Sequence, residues 1–245
     1  MGEDRPRRST QGRVLIPQDS PHPERQRGQL YGRRKGPKLR GRQAELLETL
    51  LPQLALQIEN GRDPREYFSA PVSDVWLEVG FGAGEHLLAL ARAHPDVGLI
   101  GAEPFINGVA KLLSKLEPGE GGNIRLHVGD ARDIIAALPD ASLSRAMILF
   151  PDPWPKTRHR KRRFIQTGML DALARVMKPG AELRFASDDP GYVEWALERM
   201  IAHPAFAWTA KRADDWRTRP ESWPQTRYEA KAIRGRPSYF TFVRA

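Results

Sequence analysis

The stretch Phe150-Pro151-Asp152-Pro153-Trp154-Pro155 sets one carboxylate between prolines. A proline fixes its own φ and restricts the residue before it, so Asp152 is carried on a stiff turn that resists both helix and strand. Positions 156 to 163 then read Lys-Thr-Arg-His-Arg-Lys-Arg-Arg, seven of eight basic when His is counted. Taken singly, the first half reads as a turn whose Asp caps a helix, and the second as a solvated charge run. Side by side, a positioned acid and a cationic cluster give a polyanion a reason to lie across a reacting centre.

A second motif, Glu78-Val79-Gly80-Phe81-Gly82-Ala83-Gly84-Glu85, alternates glycines, which lets the backbone turn tightly and come close to a ligand. A dinucleotide site wants glycine at the first, third and sixth positions and rests a pyrophosphate on a helix N-terminus. Here the sixth position is Glu85, whose charge opposes a pyrophosphate. S-adenosylmethionine has a sulfonium and an ammonium group and no phosphate, so both spacing and charge favour the methyl donor. Glu103, 23 residues after Gly80, suits ribose hydroxyls of either cofactor class. Asp130 is placed to accept from an adenine amino group, and Glu78 to meet the methionine ammonium. The plainer reading of each acid is a helix N-cap or a solvated carboxylate.

These residues need a scaffold, and the hydrophobic pattern supplies one. Apolar positions from Gln43 to Asn60 recur at helical spacing despite Pro52 and predict an amphipathic leading helix. Strands and helices then alternate: strand Val75 to Val79, helix Glu85 to Ala93, strand Val97 to Ala102, helix Gly108 to Leu116, strand Ile124 to Val128, helix Asp133 to Leu138. The pattern continues with strand Ala146 to Phe150, helix Arg162 to Val176, strand Leu183 to Ser187, helix Tyr192 to Ile201, and strands Phe206 to Thr209 and Tyr239 to Arg244. This order predicts an α/β fold, a mostly parallel sheet with helices on both faces. Ligands of such sheets bind beyond the carboxyl ends of the strands, and those ends carry Glu78, Glu103, Asp130, Asp152 and Asp188.

The net charge of +9 is uneven: residues 1–42 hold 12 Lys and Arg against 4 Asp and Glu, leaving 27 basic against 26 acidic for the rest. That segment, rich in Pro and Gly and poor in large apolar residues, is expected to be a basic tail, largely disordered when free, ahead of a catalytic domain over 43–245. The absence of cysteine excludes disulfides, thiolate chemistry and Cys-ligated metals, and no metal site is expected. No apolar run reaches the length of a membrane span or a signal peptide, so a cytoplasmic protein is expected, away from membranes and with no obligate protein partner evident.

In order and spacing, Leu77-Glu78-Val79-Gly80-Phe81-Gly82, Gly101-Ala102-Glu103, Phe150 to Arg163, Ser187-Asp188 and Thr226-Arg227-Tyr228-Glu229 resemble the bacterial tRNA (guanine-N7)-methyltransferases. The resemblance spans about Gly36 to Arg244 and implies a Rossmann-like class I methyltransferase: a seven-stranded sheet with its last strand antiparallel. It implies S-adenosylmethionine as cofactor, tRNA as partner and guanine 46 of the variable loop as target. Matched motif by motif, Glu78, Gly80, Glu103, Asp130 and Asp152 fall on the cofactor site, with Asp152 also catalytic. Lys156, Asp188, Thr226, Arg227, Tyr228 and Glu229 fall on the substrate site. The remaining cations, Arg158, Arg160, Lys161, Arg162 and Arg163, are expected to contact RNA phosphates. Two departures from the family pattern are mild: Pro104 follows Glu103, and Ser187 stands where Thr is common.

Two rival readings bear on the same residues. Asp152-Pro153-Trp154 is a distant look-alike of the turns that methylate exocyclic amines, but the adjoining basic run and Thr226 to Glu229 argue for the tRNA enzyme. A non-catalytic RNA-binding protein would need only the tail and the basic cluster.

Overall fold

Strands rich in Val, Ile, Leu and Phe pair into one sheet in the computed structural model, which describes residues 36–39, 41–225, 229 and 234–245. They are β1 (Asp74–Val79), β2 (Val97–Ala102), β3 (Ile124–His127), β4 (Leu143–Leu149), β5 (Met177–Ser187), β6 (Phe206–Trp208) and β7 (Ser238–Arg244). Their order is β3-β2-β1-β4-β5-β7-β6; β7 runs antiparallel to both its neighbours and the other pairings are parallel. All six residues of β2 are buried, as a strand covered on both faces requires.

The helices are α1 (Arg42–Thr49), α2 (Leu51–Leu54), α3 (Glu85–Ala93), α4 (Ile106–Leu113), α5 (Ala131–Ala137), α6 (Thr167–Val176), α7 (Pro190–Ala202) and α8 (Asp214–Arg217), with 3-10 turns at Pro64–Tyr67 and Thr157–Arg162. The apolar stripes of α3 and α4, with Leu87 and Leu112, pack one core cluster. Those of α5, α6 and α7, with Ile134, Leu170 and Tyr192, pack the other. The two clusters sandwich the sheet, the layering expected of α/β alternation.

The leading helix differs from the expected Gln43 to Asn60. It breaks at Leu50, resumes over four residues that include Pro52, and ends at Leu54. Beyond it the chain is extended: Ala55 bridges to Leu126 and the Leu56 amide donates to the Leu126 carbonyl at 2.8 Å. Covering the open edge of β3 satisfies backbone groups that a longer helix would have left facing solvent. The helix expected from Arg162 begins instead at Thr167, because Phe164 and Ile165 turn into the core and the Ile165 amide donates to the Tyr192 hydroxyl. The basic cluster is thereby a separate 3-10 helix. β5 begins six residues before the expected Leu183.

Part of the expected tail is anchored. The buried Asn107 side chain accepts from the Gly36 amide at 2.7 Å and donates to the Pro37 carbonyl at 2.8 Å, tying residues 36 and 37 to α4. Residues 1–35 and Thr226, Arg227 and Tyr228 lie outside the described residues.

The chain moves outward from β1 through β2 to β3, then returns to place β4 on the other side of β1. The reversal opens a crevice at the carboxyl ends of β1 and β4. Val79 pairs with Ile148, so the loops that follow these strands are neighbours although about 70 residues separate them.

Candidate active site at the carboxyl ends of the strands

The glycine loop follows β1. Gly80, Gly82 and Gly84 have φ of 72°, 57° and 76°, the left-handed region that glycine enters without steric cost. A Cβ on Gly84 would lie 2.4 Å from Leu112, and one on Gly108 only 2.3 Å from the Gly82 carbonyl oxygen, so α4 packs its backbone directly on the loop. Gly80 is different: a Cβ there would meet nothing within 4 Å. The loop is closed behind and open at Gly80.

Glu103, at the end of β2, is buried and fixes the loop from the side, accepting from the Gly82 amide at 2.7 Å and the Phe105 amide at 2.8 Å. Burial raises its pKa, the two amides oppose the rise, and the charges of Asp152 and Glu78 add to it. Three of the five expected acids therefore share one electrostatic neighbourhood. Glu78 is buried too, its Oε2 lying 2.9 Å from Nδ1 of His86 in the first turn of α3.

Two acids do ordinary structural work. Asp130 caps α5, accepting from the Arg132 amide at 3.0 Å, and pairs with the Arg132 guanidinium at 3.0 Å. The plainer reading of this residue holds, and its remaining lone pairs are what an adenine amino group can use. Glu85 pairs with Lys115 at 2.6 Å. Its charge is thus largely answered within the protein, and the repulsion that argued against a pyrophosphate is weaker than the sequence alone implied.

The Asp152 turn follows β4, and the Phe150 amide still donates to the Ala186 carbonyl at 2.8 Å. Phe150 and Trp154 adopt φ of 50° and 43°, left-handed values that cost a non-glycine residue about 1–3 kcal/mol each. Each precedes a proline, which closes the right-handed helical region to it. Asp152 itself is exposed. Desolvation by the crevice walls nevertheless raises its pKa, with the Arg234 charge pulling it back, and the open side of the carboxyl limits that rise.

Beyond the turn, Lys156, Arg158, Arg160 and Lys161 are exposed. Arg162 is half-buried and lies over the Trp154 ring at 4.9 Å, keeping a positive charge against the turn. Arg163 leaves the group of expected phosphate ligands: it is 1% exposed and both ends of its guanidinium are bound to main-chain carbonyls inside the protein.

Asp188 ends β5, next to β4, and accepts from the Arg234 amide at 3.1 Å. Glu229, at 9% exposure, accepts from the Tyr239 hydroxyl at 2.7 Å and pairs with Arg219 at 2.9 Å. The Tyr239 ring in turn meets Phe150 edge-on at 6.5 Å, so Glu229 stands beside the Asp152 turn. Across the sheet the acids run Asp130, Glu103, Glu78, Asp152, Asp188, one per strand end, over roughly 19 Å at the usual strand spacing.

The family model described as "Putative methyltransferase" matches residues 73–241. The tRNA (guanine-N(7)-)-methyltransferase of Rhodospirillum rubrum is 53% identical over 222 residues, 88% of this chain and 87% of that protein. Its counterpart in Chelativorans sp. (strain BNC1) is 50% identical over 227 residues, 91% of this chain and 98% of that protein. The chain belongs to the tRNA (guanine-N(7)-)-methyltransferase family. Among solved structures, the 16S rRNA methyltransferase KamB superposes with a TM-score of 0.54 at 19% identity, covering 78% of this chain and 98% of that one, which supports the class I methyltransferase fold.

Within this tRNA (guanine-N(7)-)-methyltransferase family member, sequence reasoning missed three site residues. Arg234 reaches Asp188 through its amide and Asp189 through its guanidinium at 3.4 Å, and it bears on Asp152 by charge. His86 is the partner of Glu78. Gly108 closes the back of the glycine loop. Only the last left a signal, a glycine early in a helix that packs against a glycine loop. A cavity of about 430 Å³ lined by Val72, Leu88, Arg92, Leu116, Glu120 and Asn123 lies at the opposite ends of the strands. Its Arg92 and Glu120 pair with each other and the Asn123 amide is taken by main-chain carbonyls, so the acidic rim is the better site. No helix among the described residues is long and apolar enough to cross a membrane.

Proposed function

We propose that this protein transfers the methyl group of S-adenosylmethionine to N7 of guanine 46 in the variable loop of tRNA, in the cytoplasm and with no obligate protein partner. One observation carries the reading beyond the family: β1 pairs with β4, which sets the glycine loop beside the Asp152 turn and its cationic flank. The residues suit the cofactor. Gly80 opens onto free space, and the rim beside it is acidic, matching a ligand with two positive charges and no phosphate.

Bound there, S-adenosylmethionine supplies an electrophilic methyl group. Glu78, Gly80, Glu103 and Asp130 would hold it, with Asp152 at the boundary between cofactor and base. Guanine N7 has an in-plane lone pair and carries no proton, so no general base is required. Alignment and charge complementarity are what the chain contributes. The Asp152 carboxylate stabilises positive charge developing on the purine, and Asp152 and Asp188, on adjacent strand ends, supply acceptors for guanine N1–H and N2–H. Lys156, Arg158, Arg160, Lys161 and Arg162 hold phosphates. Thr226, Arg227, Tyr228 and Glu229 contribute to the substrate site, and Glu229 is steadied by Tyr239 and Arg219.

The test is direct. Incubation of tRNA with methyl-tritiated cofactor, followed by borohydride and aniline treatment, should release label and cleave the chain at guanine 46. Label incorporated without cleavage there would overturn the reading.

A shallower dependence of tRNA affinity on salt is expected on replacing Arg158, Arg160 and Lys161 by alanine. For every phosphate that is no longer neutralised, the slope of log affinity against log salt falls by about 0.9, taking the duplex value. Filter binding across a salt series measures it, and an unchanged slope returns the cluster to a solvated surface.

The pH dependence has a definite sign. Desolvation by the crevice walls raises the Asp152 pKa above its ordinary 3.8, and the protonated acid cannot stabilise a cationic purine. Activity should therefore rise along an acid limb whose midpoint lies above that value, and the limb should vanish from the residual activity of Asp152→Asn. A limb that persists unchanged in that variant assigns it elsewhere. Glu103 is raised above its ordinary 4.5 as well, so in the interval between that value and its folded-state pKa the free folded protein binds more protons than the unfolded chain. Its contribution to stability falls as pH rises through the interval, the reverse of a salt-bridged carboxylate.

A further inference from the structure

Arg163 ends the basic run, yet it faces inward. Its Nε donates to the Pro153 carbonyl at 2.8 Å and its second nitrogen donates to the Gly191 carbonyl at 2.9 Å. The guanidinium lies over the rings of Tyr192 and Trp195, 5.0 and 5.3 Å from their centroids. Those rings are held in turn, since the Tyr192 hydroxyl accepts from the Ile165 amide at 3.2 Å and the Trp195 indole donates to the Ile165 carbonyl at 2.8 Å. The Arg163 amide donates to the Arg160 carbonyl at 3.1 Å, closing the 3-10 helix that presents the exposed cations.

Pro153 is one peptide from Asp152. Gly191 lies in the first turn of α7, which Asp189 caps by accepting from the Tyr192 amide at 2.9 Å, and Asp188 immediately precedes that cap. One planar guanidinium thus joins the loop after β4, the first turn of α7 that follows β5 and the end of the cationic helix. A lysine at the same place keeps the charge but offers a single point of donors in place of a fork spanning two carbonyls.

We infer that Arg163 is a positioning residue: it holds Asp152 and Asp188 in register with each other and with the phosphate-binding cations. The inference rests on the proposed N7 methylation of guanine and deepens it. An ångström of relative movement between the groups around a reacting base costs on the order of a hundredfold in rate, so a clamp one peptide from Asp152 has leverage without touching the substrate.

The experiment compares wild type with Arg163→Lys for methyl transfer to tRNA, with kcat and KM separated and tRNA affinity followed across a salt series. Circular dichroism and a thermal melt confirm the fold. A fall in kcat of about tenfold or more is expected, with KM for tRNA within about threefold and an unchanged salt slope. Wild-type kcat in Arg163→Lys would overturn the clamp. So would a salt slope lowered by about 0.9, which would make Arg163 a phosphate ligand. Should the lysine variant fail to fold, Arg163→Gln, which keeps a planar amide for one carbonyl, is read by the same criteria. Wild type separates the two levels: no N7-methylguanosine from it overturns the proposed function and the inference with it. Equal N7-methylguanosine formation by wild type and variant overturns the clamp alone.

Discussion

Replacement of Asp152 by alanine is expected to lower kcat by about 10²–10³, the range found when one preorganised group aimed at developing charge is removed, with tRNA affinity little changed. The affinity survives because the exposed Lys156, Arg158, Arg160 and Lys161 are untouched. The turnover falls because the turn exists to present this carboxylate: Phe150 and Trp154, two residues to either side, both adopt left-handed φ, and Arg163 holds the Pro153 carbonyl. A chain that keeps two strained residues around one acid holds that acid in place by more than local preference. Single-turnover methyl transfer together with filter binding measures both quantities. Near-wild-type turnover would remove Asp152 from the reaction.

Gly108→Ala is expected to reverse the usual sign of a helical substitution. Alanine ordinarily stabilises a helix interior by about 1 kcal/mol over glycine. At Gly108 the new Cβ would lie 2.3 Å from the Gly82 carbonyl oxygen and 3.4 Å from the Glu103 side chain, and the backbone it meets cannot swing away. Either α4 retreats or the glycine loop shifts. Overpacking of this kind costs about 1–3 kcal/mol of stability. A shifted loop also gives up its bond to Glu103, so cofactor affinity should fall about tenfold or more, which is the consequence of about 1.4 kcal/mol at the site. Gly168→Ala in the first turn of α6 is the control, because its Cβ meets nothing within 4 Å. Thermal melts and calorimetric titration of S-adenosylmethionine into both variants decide the matter. Equal behaviour of the two would show that the packing of α4 on the loop is irrelevant to binding.

The alternation of strands and helices, the glycine loop and the proline-held acid were legible in the chain because each is a local pattern. Hydrophobic periodicity marks an element whatever it packs against, and glycines and prolines act on their own φ. Helix α3 and strand β2 appear within their expected limits for that reason. Where long-range packing competed with local preference, the outcome changed. Ala55 and Leu56 found the edge of β3 and ended the leading helix early, and Ile165 found Tyr192 and delayed α6.

At the site the division is sharper. Residue types and spacing alone determined that this chain carries acids at the strand ends, a tight glycine loop and a cationic cluster beside a rigid turn. Only the tertiary structure decided what each charge faces. In sequence Arg160 and Arg163 look alike, but one meets solvent and the other meets Gly191, Tyr192 and Trp195 from about 30 residues away. Glu85 is answered by the Lys115 ammonium, and Asp188 by the main-chain amide of Arg234. The glycine loop and the Asp152 turn became neighbours because strand order in the sheet, unlike order in the chain, is set by which apolar faces bury one another.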